Sequence, residues 1–388
     1  MHLTHHALSP YLSFHRDHVN KGIHIPYHSQ DSLHIQSECE SSQSSAASSA
    51  SSLDSTNCPL YSVPSRFVLS NLKLKKFSDE HKSHFSLFKK HKSLKNRKES
   101  FLPLLEALKK RNAPSLRKLY GDSSDHVSSG AGGSVYVTYC PRDGKKYAVK
   151  SFRKRGIDES EKHYYEWISN EIYIAISLSH PNIVQTVDVV LERNQIHQVM
   201  EYCPKDLFTV VKEATLTQKK MDHYFAQLIQ GLAYLHQRGV AHRDLKLENL
   251  CIDEEDNLKI VDFGCAFILL DPYAEDNKAF ASSIVGSDPY IAPEIFEGGS
   301  YDAAKSDIWS AAIIYLCMIL RKFPWDIART NEKSYSKFLK YRHEDRYFRK
   351  VPTQALKIIR KMLDPNPVTR ATIEEVLHDP WFQSIKSM

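Results

Sequence analysis

A chain of 388 residues exceeds one average domain, and its seven cysteines, at 39, 58, 140, 203, 251, 265 and 317, are odd in number and form no paired motif. That excludes a disulfide-stapled scaffold and predicts reduced thiols in an intracellular protein. The opening Met1-His2-Leu3-Thr4-His5-His6 has no charged segment before an apolar core and no acylation pattern, and the longest apolar run, Ile308 to Leu320, is too short to cross a bilayer, so neither secretion nor a membrane span is expected.

Residues 41–55 hold nine serines in fifteen, too little apolar surface to offset the entropy of ordering, and 1–65 are predicted to be a disordered Ser/His-rich tail. Eight of the 20 histidines fall in the first 34 residues, but their irregular spacing, without Cys or acidic neighbours, argues for an unstructured tail rather than a metal site. Residues 66–118 carry 16 Lys and Arg against four Asp and Glu, a net of +12 in a chain whose total is +6. This reads as a basic linker, partly helical. Its runs Lys89-Lys90-His91-Lys92 and Lys95-Asn96-Arg97-Lys98, interleaved with Phe77, Phe85, Phe88 and Leu94, suit an anionic membrane surface at about 1 kcal/mol per basic residue. RNA or a nuclear import receptor would attract the same charge, and a solvated linker is the plain alternative.

From 119 to 385 the pattern is that of one folded domain. Residues 127–200 read as strands with one helix, and Leu216–Gln237 and the stretch after Glu294 as mainly helical, an α+β arrangement of an antiparallel sheet followed by a helical lobe. Ser128-Ser129-Gly130-Ala131-Gly132-Gly133-Ser134-Val135 is a turn of small residues. Tyr147-Ala148-Val149-Lys150 follows an Asp143-Gly144 turn, which puts Lys150 on the third strand of a hairpin series. Glu171 lies ten residues before Pro181, and Val199-Met200-Glu201-Tyr202-Cys203 is an apolar strand running into a turn. In His242-Arg243-Asp244-Leu245-Lys246-Leu247-Glu248-Asn249, an Asp and an Asn five apart with a Lys between them can all face one bound phosphate, which suits phosphoryl transfer. Thirteen residues beyond Asn249, after the buried-strand pattern Leu258-Lys259-Ile260-Val261, comes Asp262-Phe263-Gly264.

Together these strings resemble the catalytic and metal-binding loops of eukaryotic protein kinases. The resemblance implies a bilobal fold, with a small antiparallel-sheet N-lobe and a mainly helical C-lobe, that uses ATP and Mg2+. Phosphoryl transfer spreads charge over the equatorial oxygens, so the protein's work is positioning and neutralisation. Asp244 is then the base, a contribution of roughly 10²- to 10⁴-fold, while Asn249 and Asp262 supply oxygens for the cation and Lys246 neutralises the moving group. Lys150 is the ATP-anchoring lysine, paired with Glu171. Gly130, Ala131, Gly132 and Gly133 let the backbone approach the phosphates; Val135 and Ala148 border the adenine, Met200 is the gatekeeper, and the backbone at Glu201 and Cys203 faces the base. Ser128 stands where the first glycine is usual. A Lys at 246 places the chain with Ser/Thr rather than Tyr kinases. Ser282, Ser283 and Ser287, between Asp262-Phe263-Gly264 and Ala292-Pro293-Glu294, are candidate phosphorylation sites with Arg243 to receive the phosphate. Asp307 is expected to hold the catalytic-loop backbone and Glu294 to pair with Arg370. Ala175 replaces a bulkier residue expected to pack towards Phe263 and His242.

The segments Ile284 to Glu294 and Asp307 to Trp325, with Leu119-Tyr120-Gly121, are similar to the fungal halotolerance and nitrogen-permease-reactivator subfamily of Ser/Thr kinases. That implies regulation of plasma-membrane transporters and of ion or nutrient homeostasis by a cytoplasmic monomer, peripheral at the plasma membrane. Glu248 and Asp206 occupy positions that in basophilic kinases meet Arg on the amino side of the acceptor, which predicts protein substrates with basic sites. A pseudokinase scaffold, motivated by Ser128 and Ala175, and nucleic-acid binding through the basic segment are the competing readings.

Overall fold

Residues of β-branched and aromatic type recur in the strands of the sheet from Gly133 onward. β1 (Ser123–Gly130), β2 (Gly133–Tyr139), β3 (Lys146–Phe152), β4 (Thr186–Glu192) and β5 (Gln195–Glu201) form one antiparallel sheet in the order β1-β2-β3-β5-β4. The structure is a computed structural model describing residues 102–111, 113–130, 132–270 and 278–386. The tail 1–65, the basic stretch up to 101 and Ala131 of the glycine turn lie outside the described residues. Hairpin chemistry sets the register. Arg193 and Asn194, at φ 47° and 64°, close the two-residue turn between paired Glu192 and Gln195, a backbone twist that matches the strands on either side.

Between β3 and β4 runs α3 (Glu161–Ser177); its cap Ser160 accepts from His163 N–H, and Glu161 sits where the helix dipole favours an anion. Ile168 and Ile172 sit in a cluster with Phe152, Val189 and Ile196, whereas Ile174, Ala175 and Leu178 join the main core of the helical half. The helix that carries Glu171 is thus seated in both cores.

Two helices precede the sheet, α1 (Leu102–Arg111) and α2 (Leu116–Tyr120). Leu104, Leu105 and Leu108 are buried in one cluster with residues of β3, α3, β4 and β5, and Leu119 and Tyr120 pack on Tyr147 and Val149. The packed unit therefore reaches N-terminal to residue 119, where composition alone suggested it begins.

The helical half forms around α5 (Gln218–Gln237) and α7 (Ala303–Leu320). Its short elements are β6 (Lys205–Asp206), α4 (Leu207–Glu213), β7 (Val240–Ala241), β8 (Leu250–Ile252), β9 (Leu258–Ile260), β10 (Phe267–Ile268), α6 (Pro293–Phe296), α8 (Lys333–Tyr341), α9 (Leu356–Met362), α10 (Ile373–His378) and α11 (Pro380–Ile385). Apolar on all sides, α7 is long enough to cross a membrane by length and composition, yet 78% of it is buried inside the protein, so it is a central core helix. An antiparallel sheet before a helical lobe, mixed α+β, is the predicted fold class.

Candidate active site

The β8–β9 hairpin delivers two loop ends to one place. Leu250 pairs with Ile260, and Val261 N–H donates to Asn249 O at 3.0 Å, so Asn249 and Asp262 flank the same open end of the hairpin. Asp307, fully buried, fixes the preceding loop by accepting from His242 N–H and Arg243 N–H, both at 2.8 Å, with His236 Nε2 3.0 Å away. His242 Nε2 in turn donates to Val261 O at 2.9 Å and ties the two loops together. Arg243 and Asp262 both adopt left-handed backbone, φ 65° and 64°, a strain of about 1–3 kcal/mol each that such over-determination sustains. The role read for Asp307 is met by its geometry; that of His236 left no motif in the sequence.

At the acceptor end, Asp244 Oδ2 receives Lys246 Nζ at 2.8 Å and Asn249 Nδ2 at 3.1 Å, and Asn249 Nδ2 also bonds Asp244 O at 2.8 Å. Burial would lower the Lys246 ammonium, but the Asp244 carboxylate outweighs it and holds the charge. Ser287 Oγ donates to Asp244 Oδ1 at 3.2 Å and accepts from Lys246 Nζ at 3.0 Å. Ser287, read from sequence as one of three candidate phosphorylation sites, therefore orients the base. The serine comes this close because Gly286, at φ 106°, lies where an added Cβ would be 2.9 Å from Arg243 O. The Gly-Ser pair was the available signal, and it gave no partner.

On the sheet side, Lys150 Nζ donates to Glu171 Oε1 at 2.5 Å and to Asp262 Oδ1 at 2.9 Å. Burial opposes the Lys150 charge, but the two carboxylates overcome it and raise the ammonium above its ordinary range, while against the cost of partial desolvation Lys150 draws Asp262 below the usual carboxylate range. Val135 pairs with Lys150 across β2 and β3, and Gly133, at φ 141°, lies with its Cα hydrogens against Ser151 O, where a Cβ would be 2.1 Å away. A Cβ on Gly132 would lie 3.6 Å from Lys150 Nζ, so the glycine turn closes directly over the ammonium.

These residues fit a magnesium nucleotide. Asn249 spends its Nδ2 on Asp244, which leaves Oδ1 for a cation; Asp262 uses Oδ1 for Lys150 and is 47% exposed; at the glycine turn a Cβ on Gly130 would meet nothing within 4 Å, while one on Gly132 would lie against Lys150. Asn249 and Asp262 would hold the ion, and Lys150 with Gly130, Gly132 and Gly133 the phosphates.

Ala148 pairs with Val137 on one side and Met200 on the other, and like Val135 and Met200 it is half-buried. Glu201 N–H is committed to Gln185 O at 3.0 Å, so at this residue an adenine contact falls to the carbonyl. Cys203 is half-buried, its thiol pushed up by burial, with Cys251 adding to the effect.

In the activation segment, Arg243 Nη1 reaches Ser283 Oγ at 3.1 Å, and Nε bonds Cys265 O at 2.7 Å. Ser282 is exposed. Arg370 forks Glu294 at 2.7 Å through both terminal nitrogens, the ion pair expected from the sequence. Asp206 caps α4 by accepting from Thr209 N–H at 2.6 Å and is engaged there, whereas Glu248 is pushed up by burial and its Oε2 has no hydrogen-bond partner among the described residues. Ala175 is buried in the same core as Phe263, whose ring is 5.5 Å from that of His242.

Residues 122–382 match the family model described as the protein kinase domain. The chain is 36% identical over 312 residues to the nitrogen permease reactivator protein of Saccharomyces cerevisiae, covering 69% of this chain and 39% of that protein. It is 44% identical over 223 residues to serine/threonine-protein kinase oca2 of Schizosaccharomyces pombe, covering 58% and 34%. With serine/threonine-protein kinase HAL4/SAT4 of Saccharomyces cerevisiae it shares 36% over 284 residues, covering 69% and 46%. The chain thus spans less than half the length of these relatives.

Proposed function

The chain belongs to the protein kinase family, and on that premise we propose that it is an active serine/threonine kinase transferring the γ-phosphate of ATP to protein hydroxyls. One observation carries the reading: the Asp244–Lys246–Asn249 cluster and the Lys150–Glu171–Asp262 cluster are joined through the β8–β9 hairpin into a single site. Bound magnesium-ATP supplies the phosphoryl group and the cation that neutralises it. Asp244 accepts the hydroxyl proton of the acceptor at a carboxylate oriented by Lys246, Asn249 and Ser287. Lys150, kept charged by Glu171 and Asp262, holds the phosphates in place, and Lys246 neutralises charge at the acceptor end.

Three finer readings belong to the same proposal. Arg243 beside Ser283 suits capture of a phosphate on that serine, since a phosphoserine adds nearly two negative charges beside a guanidinium. The unpartnered Glu248 oxygen suits an Arg of a basic acceptor peptide, with Asp206 a weaker contributor because of its capping role. The relative named for nitrogen permease reactivation, and the subfamily resemblance, support a role in regulating plasma-membrane transporters from the cytoplasmic side. The test is γ-phosphate transfer to acceptor peptides with and without Arg before the serine. Wild type should transfer, and Asp262→Asn should lose activity by about 10²-fold or more; an inactive, folded wild type would refute the kinase reading. Equal rates on the two peptides would refute the Glu248 assignment alone, and an undiminished rate for Ser283→Ala would refute the Ser283 assignment. Purified protein failing to phosphorylate cytosolic permease segments would remove the transporter role.

A further inference from the structure

Helix α1 lies outside the segment that the family model matches, yet it is packed into the part of the protein that aligns the Lys150–Glu171 pair. We propose that α1 is an intramolecular activating element, with Leu104, Leu105, Leu108 and Arg111 acting as positioning residues that seat α3 and so hold Glu171 against Lys150. The inference rests on the kinase reading and adds to it a control element supplied by this chain.

The three leucines share one cluster with Phe152 of β3, Ile168 and Ile172 of α3, Val189 of β4 and Ile196 of β5. Three members of that cluster come from the ion pair's own surroundings. Phe152 is two residues from Lys150, and the Lys150 ammonium lies 5.4 Å from its ring centre. Ile168 and Ile172 stand three residues before and one after Glu171, in the same turn of the helix. A shift of α3 away from the sheet would open this cluster and part Lys150 from Glu171 in one motion, because close-packed interiors transmit small displacements. With the leucines in place the cluster is filled; Leu104 is 1% exposed.

A polar lock fixes where α1 sits along the sheet. Arg111 Nη1 and Nη2 fork Asp188 at 2.6 and 2.9 Å, Nη1 also reaches Val189 O at 2.9 Å, and Tyr120 donates to Asp188 Oδ2 at 2.9 Å. Asp188 is buried, at a register break in β4, and Arg111 is the basic side chain that answers its charge there. The same lock therefore joins α1, α2 and β4, and none of its groups takes part in the chemistry.

The experiment uses the full chain with Leu104→Asp and Leu108→Asp together, which expels α1 and leaves every groove and catalytic residue intact. Expected are a kcat lower by about tenfold, a KM for the acceptor peptide within about twofold of wild type, and saturable recovery of kcat on adding a synthetic peptide of residues 101–112. The same peptide bearing both Asp substitutions should restore nothing. A double variant with wild-type kcat, or one that melts cooperatively and is not restored by the peptide, overturns the proposal. Should the double variant fail to melt cooperatively, Arg111→Gln, which keeps the leucines seated, decides: a severalfold loss of kcat supports α1 as activator and an unchanged kcat overturns it. Wild-type activity is the internal control, since its absence would instead remove the kinase reading.

Discussion

Arg370 with Glu294 in the helical half and Lys150 with Glu171 in the sheet half are both buried ion pairs, yet their surroundings differ. Arg370 is 0% exposed and its remaining capacity goes to Asp364 O at 2.9 Å, Lys305 O at 3.0 Å and Pro365 O at 3.3 Å. Lys150 shares its charge with a third group, the half-exposed Asp262, and Glu171 Oε2 is buried without a hydrogen-bond partner among the described residues. A saturated pair has one arrangement and serves the fold. An incompletely satisfied pair beside an open carboxylate keeps binding capacity in reserve, as the proposed nucleotide site requires.

Substituting one member of each pair should therefore fail in different ways. Lys150→Met is expected to lower kcat by about 10³-fold, because it removes a preorganised charge from the phosphates, while the melting temperature moves little, since Glu171 can take up a proton once its partner is gone. Kinetics and calorimetry on the same preparation check this, and equal loss in both would erase the contrast. Arg370→Leu should cost about 3–5 kcal/mol of stability by stranding Glu294, a fall of about 10 °C in melting temperature for a domain of this size. The molecules still folded at low temperature should retain near-normal kcat.

The smallest effect is at a third pair, half-buried near the surface. Arg153 forks Glu159 at 2.7 and 2.8 Å and draws its carboxyl from an ordinary 4.5 down to about 2. A lowered folded-state value stabilises above the unfolded pKa and is lost as pH falls from 4.5 towards 2. Glu159→Gln should accordingly narrow the difference between neutral and acid stability by less than about 1 kcal/mol, measured by denaturant titration at both ends of that window.

The parts legible from sequence were those in which chemistry dictates residue type at fixed spacing. Asp244, Lys246 and Asn249 lie within six residues, and Asp262 follows a recognisable strand, so local order places them almost without help. Lys150 and Glu171 were legible by resemblance, although 21 residues separate them and only the packing of α3 brings them to 2.5 Å. The contact of Ser287 was not legible, because nothing within its own segment reveals that it lies against a base 43 residues earlier. That 66–118 is partly helical was legible, but not that α1 is packed, because its partners Asp188 and Ile168 come from separate elements.

The sequence by itself determined the order of the catalytic groups, the alternation that makes a sheet and then a helical lobe, and the all-round apolar helix at the centre of that lobe. These follow from local preference and hydrophobic period, which operate over a few residues at a time. Only the tertiary structure decided which serine touches the base, which carboxylates share Lys150, and that the helix before the matched domain belongs to its core. Each of those depends on side chains far apart in the chain meeting in a space from which water is excluded, and burial there assigns partners that no local pattern encodes.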